Sequence, residues 1–161
     1  MCKFVLRTEA TAAACRRLSK AAIYLVTDSF SNKELLYKFD LALTEALANV
    51  ARHAYRQSSS QEGCCVVLGD SPAAPQTGLG DVELTLRLNP GKHIELEVAD
   101  WGVGFGSIPK DFRNAKPDAE NGRGVFIMAE LTQALEFRRH EDKNIVYLKM
   151  EIEEKLWKDC E

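Results

Sequence analysis

The chain has 161 residues, 45% of them hydrophobic and 28% charged, with 21 Lys and Arg against 24 Asp and Glu for a net charge of -3. That length suits one compact domain able to bury a core without disulfides or structural metal, and the composition excludes disordered, collagen-like and coiled-coil classes. No apolar run nears the roughly 18 residues of a membrane span, no basic block could track a nucleic-acid backbone, and the opening MCKFVLRTEA has no signal-peptide core, so a cytoplasmic protein touching neither membrane nor nucleic acid is expected.

A short alternating stretch, Lys3 to Arg7, predicts a first strand, and a helical segment follows from Thr8 to about Phe30. Ser31 with Glu34 three residues later is a capping-box signature, predicting a second helix from there through Tyr55. From Gln57 to Gly80 the composition turns to Ser, Gly and Pro, broken by Cys64-Cys65-Val66-Val67-Leu68, which predicts a long inserted loop with room for a short strand. Val82, Leu84, Leu86 and Leu88 alternate with polar residues, and the alternation resumes at Ile94, Leu96 and Val98 after Asn89-Pro90-Gly91-Lys92, as in an antiparallel hairpin with one buried face. Phe105 to Asn121 has no periodicity and reads as a mobile loop; Val125 to Ala134 reads as a helix, and strands follow at Leu135 to Arg139 and Asn144 to Ile152. The order of elements predicts an α+β two-layer sandwich, a mixed and largely antiparallel sheet with helices on one face, spanning residues 1–161 as a single domain.

The five cysteines are odd in number and fit no C-x-x-C spacing, so they read as free thiols, and the three histidines are too dispersed to suggest a metal cluster. The second helix carries the first chemical signal. Leu36, Phe39, Leu43, Leu47, Val50 and Ala54 fall on one stripe that should pack on the sheet, while Glu45, Asn49 and His53 recur every four residues on roughly the opposite side, drifting about 40° per step. Eight of the eleven residues from Leu41 to Ala51 are Ala, Leu or Val, so a carboxylate and an amide one turn apart sit among small apolar neighbours. Such a pair suits a metal-bound ligand and a carboxylate that orients or deprotonates an attacking group; the same residues also fit solvent-facing positions on an Ala-rich helix.

Two glycine motifs follow. Asp100-Trp101-Gly102-Val103-Gly104-Phe105-Gly106 closes a strand, where an acidic side chain followed by glycines suits a carboxylate accepting from the exocyclic amine of a base, or an ordinary turn. A dinucleotide-binding fingerprint fails here, because Ser107 occupies the third glycine's place and no helix follows, and no G-K-[ST] exists for a phosphate-binding P-loop. Gly122-Arg123-Gly124 precedes the apolar helix, so free N–H groups at a helix N-terminus with Arg123 beside them suit a phosphate, though a plain loop-to-helix junction reads the same way. The residues between, about 105–121, would then form a lid with Lys110, Arg113 and Lys116 available to phosphates.

Taken together, Glu45-x-x-x-Asn49-x-x-x-His53-Ala54-Tyr55, Asp100-x-Gly102-x-Gly104-Phe105 and Gly122-Arg123-Gly124 resemble the N, G1 and G2 boxes of the GHKL (Bergerat-fold) ATPases, and the strings ALTEALANVARHAY and GRGVFIMAELTQALEF resemble the bacterial anti-sigma factor serine/threonine kinases of that superfamily. The resemblance spans roughly Phe4 to Glu151. It implies that Glu45 is the general base, that Asn49 ligates the Mg²⁺ on the phosphates of ATP, and that Asp100 recognises the adenine amine. It further implies that Gly102 and Gly104 shape the base pocket and lid hinge, while Gly122, Arg123 and Gly124 hold the phosphates. By the same resemblance the acceptor is a serine or threonine of an STAS-type anti-anti-sigma factor, and a homodimer of the kinase sequesters a sigma factor. The segment Gln57 to Gly80 is longer than the family's usual link. A catalytically silent, ATP-gated binding regulator is the alternative; the catalytic half of a histidine kinase is disfavoured because no phospho-acceptor helix pair precedes the domain.

Overall fold

The computed structural model describes residues 1–30, 32–54, 80–105 and 123–158, with the side chain of His53 excepted. Its elements run β1 (Cys2–Glu9), α1 (Ala12–Thr27), α2 (Lys33–Asn49) continued by one π-helical turn (Val50–Ala54), β2 (Asp81–Asn89), β3 (His93–Asp100), α3 (Arg123–Leu131), β4 (Ala134–His140), β5 (Lys143–Glu151) and a short 3-10 turn (Glu154–Leu156). The strands form one sheet in the order β1-β2-β3-β5-β4. All four pairings are antiparallel, so the α+β sandwich stands and the described sheet contains none of the parallel pairing that a mixed sheet would have.

Register decides which side chains meet the helices. Three successive cross-sheet rows on the inner face are apolar from end to end: Leu88-Ile94-Met150, Phe4-Leu86-Leu96-Leu148-Leu135 and Leu6-Leu84-Val98-Val146-Phe137. The helices supply Leu18, Ala22 and Val26 from α1, Phe39, Leu43 and Leu47 from α2 and Met128 from α3, all buried. Most of these lose essentially all contact with water, at a gain of about 1.5–3 kcal/mol each. Ser19 stitches the two long helices together, its Oγ donating to Asp40 Oδ1 at 3.0 Å and lying 3.2 Å from Thr44 Oγ1.

Several boundaries differ from the sequence reading for identifiable reasons. Thr8 stays in β1, paired with Val82, and α1 begins only after Thr11, whose Oγ1 accepts from the Ala14 N–H at 3.1 Å. Asn32 caps α2, its Oδ1 accepting from the N–H of Glu34 at 2.8 Å and of Leu35 at 3.4 Å; the assignment of that role to Ser31, which lies outside the described residues, is corrected. The second helix does not run as a regular α-helix to Tyr55 but widens to a π turn after Asn49, and the Ala54 carbonyl accepts from the Val103 N–H at 3.0 Å. Helix α3 stops at Leu131, where Thr132 Oγ1 donates to the Met128 carbonyl at 2.7 Å, and Ala134 pairs with Lys149 in the sheet. The expected inserted loop (57–80) and lid (105–121) lie outside the described residues except at their ends, Gly80 accepting from the Ala10 N–H and the Phe105 ring meeting Phe137 edge-on at 5.1 Å.

Candidate functional site

A fourth inner-face row breaks the apolar pattern. Thr8, Val82, Asp100, Asn144 and Arg139 are successive register partners across all five strands. Asp100 and Asn144 are both buried, 4% and 1% exposed. A buried carboxylate is tolerated only where donors satisfy it. Asp100 Oδ1 accepts from the Gly102 N–H at 2.8 Å and from Asn144 Nδ2 at 2.9 Å. Its Oδ2 accepts nothing from the described residues. Asn144 Nδ2 also donates to the Gly102 carbonyl at 3.2 Å, while Asn144 Oδ1 is buried without a partner, a deficit of about 1–3 kcal/mol unless something fills it.

The two described glycines of this motif do different work. At Gly102 a Cβ would lie 1.9 Å from the Ala54 carbonyl oxygen, so the backbone after β3 presses against the end of the π turn as only glycine permits. Gly104 has φ +95, and a Cβ there would lie 2.5 Å from Arg139 Nη1 and 3.2 Å from Asn144 Oδ1. The missing side chain leaves that place to the Arg139 guanidinium, next to Asn144 Oδ1.

The second cluster forms where α2 meets the start of α3. Glu45 and Asn49 are half-buried on the flank of α2 turned towards α3. A Cβ at Gly124 would stand 2.6 Å from Glu45 Oε2 and 3.6 Å from Asn49 Oδ1, so both oxygens converge on the first turn of α3. Asn49 makes no side-chain hydrogen bond among the described residues. Glu45 Oε2 lies 3.7 Å from Arg52 Nη2, and Arg52 Nε donates to the Ala48 carbonyl at 3.2 Å. Arg123 opens α3 with an exposed side chain.

Of the residues expected from sequence, Glu45, Asn49 and Gly124 thus form one group, and Asp100, Gly102 and Gly104 another. The π turn joins them, since it continues α2 and its last carbonyl holds the glycine loop. Gly122, His53's side chain, Tyr55, Lys110, Arg113 and Lys116 fall outside the described residues. Asn144, Arg139 and Arg52 were missed by sequence reasoning. Asn144 did carry a signal: it holds the inward phase of β5 ahead of Val146, Leu148 and Met150, where an amide has no place in a plain core.

Chemically, the arrangement offers a carboxylate oxygen and an amide oxygen at a helix N-terminus, suited to phosphate and a hard cation. At the end of the sheet, across the π turn, the buried Asp100 and Asn144 add acceptor oxygens, suited to a hydrogen-bond donor. Among the described residues no three His, Cys, Asp or Glu side chains cluster as a metal cage. A Mg²⁺ bound mainly through phosphates and waters with one protein oxygen needs no such cage, and Asn49 Oδ1 fits that role. Cys2 and Cys15 are free, and no described helix is long and apolar enough to cross a membrane. The family described as histidine kinase-like ATPase domain matches residues 5–150. No curated protein matches the chain.

Proposed function

The chain belongs to the histidine kinase-like ATPase domain family, which sets an ATP-binding regulatory or kinase role, and we propose that it is a Mg-ATP-dependent protein serine/threonine kinase that also acts as an anti-sigma factor. In this reading its acceptor is a hydroxyl of an STAS-type anti-anti-sigma factor, and a homodimer holds the sigma factor. The observation that carries the reading is the convergence of Glu45 Oε2 and Asn49 Oδ1 on Gly124. A nucleotide sensor needs an amide for the metal, but it has no need of a half-buried carboxylate beside the phosphate site.

Asp100 Oδ2 accepts from the base, and the turn at Gly102 fixes that carboxylate. The N–H groups of the first turn of α3, with Arg123 and Gly122, hold the phosphates. Asn49 Oδ1 would hold Mg²⁺, which would supply neutralisation of charge on the phosphates. Glu45 takes the proton of the acceptor hydroxyl as that oxygen bonds to the γ-phosphorus and the bond to the β,γ-bridging oxygen breaks, releasing ADP.

Incubation of the protein with labelled ATP, Mg²⁺ and candidate STAS partners tests this. Transfer should occur with wild type and fall by about 10²-fold or more with Glu45→Ala, while ATP binding persists. Absence of ATP binding, or unchanged transfer by Glu45→Ala, would overturn it. The contact of Glu45 with Arg52 favours a second reading, a catalytically silent ATP-gated regulator with its carboxylate engaged by the guanidinium. That reading predicts ATP-dependent partner affinity that survives Glu45→Ala.

A further inference from the structure

Away from the site, the sheet ends in two edge strands, β1 and β4, each paired on one side only among the described residues. An open edge pairs with another strand unless the sequence blunts it, commonly with a charge on the face turned to the core. β4 carries such a charge, since Arg139 stands in the inner-face row of Asp100 and Asn144. β1 carries none: Cys2, Phe4, Leu6 and Thr8 hold its inner-face positions, and Phe4 and Leu6 are only partly buried against the core. Its outer-face side chains, Lys3, Val5, Arg7 and Glu9, are all exposed.

The ladder fixes which backbone groups of β1 face the free edge. The Ala10 N–H donates to the Gly80 carbonyl at 2.8 Å, continuing the register that pairs Glu9 with Asp81. In an antiparallel ladder each residue turns its N–H and C=O to one side, and successive residues alternate. Even-numbered residues of β1 therefore bond to β2, and Lys3, Val5, Arg7 and Glu9 turn their N–H and C=O groups to the edge. A second β1 related by a two-fold axis meets those groups only in registers two residues apart. With the axis at Leu6 the whole strand is used: Lys3 faces Glu9 of the second copy, Val5 faces Arg7, and Leu6 meets Leu6. A shift of two residues one way sets Lys3 against Arg7, and the other way Arg7 against Arg7, like charges directly opposite each other. Lys3 and Glu9 make no ion pair among the described residues, whereas Arg7 is held by Asp81 at 2.7 Å.

We propose that the free edge of β1 is where two copies of this chain join, in an antiparallel two-fold pairing centred on Leu6 that runs their sheets into one. The apolar row Leu6-Leu84-Val98-Val146-Phe137 then continues through Leu6 into its own copy. The stem of Arg7 lies over Val5, which is 51% exposed in the single chain. Lys3 with Glu9 closes both ends of the pairing. The assignment rests on the homodimer of the proposed function, to which it gives a surface, and is independent of nucleotide binding.

The test is sedimentation equilibrium of the full chain at low salt, where wild type should be a dimer. Glu9→Lys sets lysine against lysine at both ends and should raise the dimer dissociation constant at least about tenfold, a penalty that shrinks at high salt. Lys3→Glu should act alike, and the double exchange of Lys3→Glu with Glu9→Lys should restore association, because both pairs return with their signs swapped. Both side chains are exposed, so the fold is kept. Val5→Pro removes an N–H that faces the edge and none that bonds to β2, so it should give a monomer with unchanged circular dichroism. Should that variant not fold, the charge exchanges decide alone. Dimerisation of equal strength in wild type and both single charge variants, or a double exchange no better than either single one, overturns the β1 edge and leaves the homodimer on another surface. A wild type that stays monomeric at every concentration overturns the homodimer as well and leaves ATP binding intact.

Discussion

Gly102→Ala tests the junction on which both halves of the site depend. The added Cβ would lie 1.9 Å from the Ala54 oxygen and 2.9 Å from its Cα, and both are backbone atoms that no rotamer change can move. An ordinary C···O contact is about 3.3 Å or longer, so the glycine loop and the π turn must part by about 1.4 Å. The Val103 N–H to Ala54 carbonyl bond, 3.0 Å in the fold, does not survive that separation. Its loss costs about 1 kcal/mol, and disturbing the charge-assisted bond from the Gly102 N–H to Asp100 costs about 1.5–3 kcal/mol more. A total of about 3 kcal/mol lowers Tm by about 6–12 °C in a chain of this size. Gly91→Ala is the control: φ +75 makes it strained, but its Cβ meets the Glu154 side chain no closer than 3.7 Å, so about 1–2 kcal/mol is expected. Urea denaturation followed by circular dichroism measures both, with ATP binding as a second readout expected to fail for Gly102→Ala alone. If Gly102→Ala costs no more than Gly91→Ala and binds ATP as wild type does, the packing of the loop on Ala54 does not hold the site.

At Gly124 the obstructing atom is the flexible end of Glu45, 2.6 Å from the Cβ position, so Gly124→Ala should fold as well as wild type and be detected by a tenfold or greater drop in phosphoryl transfer, with the urea midpoint unchanged or raised. Asn32→Ala removes both N-cap bonds of α2 and should cost about 1 kcal/mol, read as a lower urea midpoint at constant slope. Burial pushes the Cys15 thiol above its ordinary range, and Tyr147 is raised by burial and by the charge of Glu95. Both groups hold their protons more tightly in the fold, so the stability they contribute is complete below the ordinary thiol value of about 8.5 and is lost as pH rises and the unfolded chain deprotonates first. Urea midpoints should be level to about pH 8 and fall above it, with a shallower initial fall in Cys15→Ala.

The fold was legible wherever side chains obey a strict period. Val82 to Leu88 and Ile94 to Val98 alternate because one face of their hairpin is dry, and the structure pairs Leu84 with Val98 and Leu86 with Leu96 accordingly. Helix ends were less legible, because Ser31, Asn32 and Thr8 are all capable caps or turn formers and the choice among them is tertiary. Thr8 belongs to the sheet because Val82 is there to pair with it. The π turn has no local signature at all: Val50 to Ala54 reads as continuous helix until Val103 arrives to take the last carbonyl.

Within the site, Glu45 and Asn49 stood out as polar residues in apolar surroundings, and Asp100 as an acidic residue at a strand end followed by glycines. Asn144 is likewise a polar residue ahead of an apolar run, and it was overlooked because it begins a strand, where a polar residue passes for a turn. Only the register reveals it as the partner of Asp100. The four inner rows of the sheet then explain why the core turns polar at this end. Hydrophobic burial against the helices stabilises three rows, and a fourth apolar row would have closed the sandwich into a plain core. Putting a carboxylate and an amide there instead requires that each be satisfied, and they satisfy each other and the Gly102 turn with all but two oxygens, Asp100 Oδ2 and Asn144 Oδ1. The oxygens left over, one of them beside the Arg139 guanidinium, are what this end of the sheet offers to a donor.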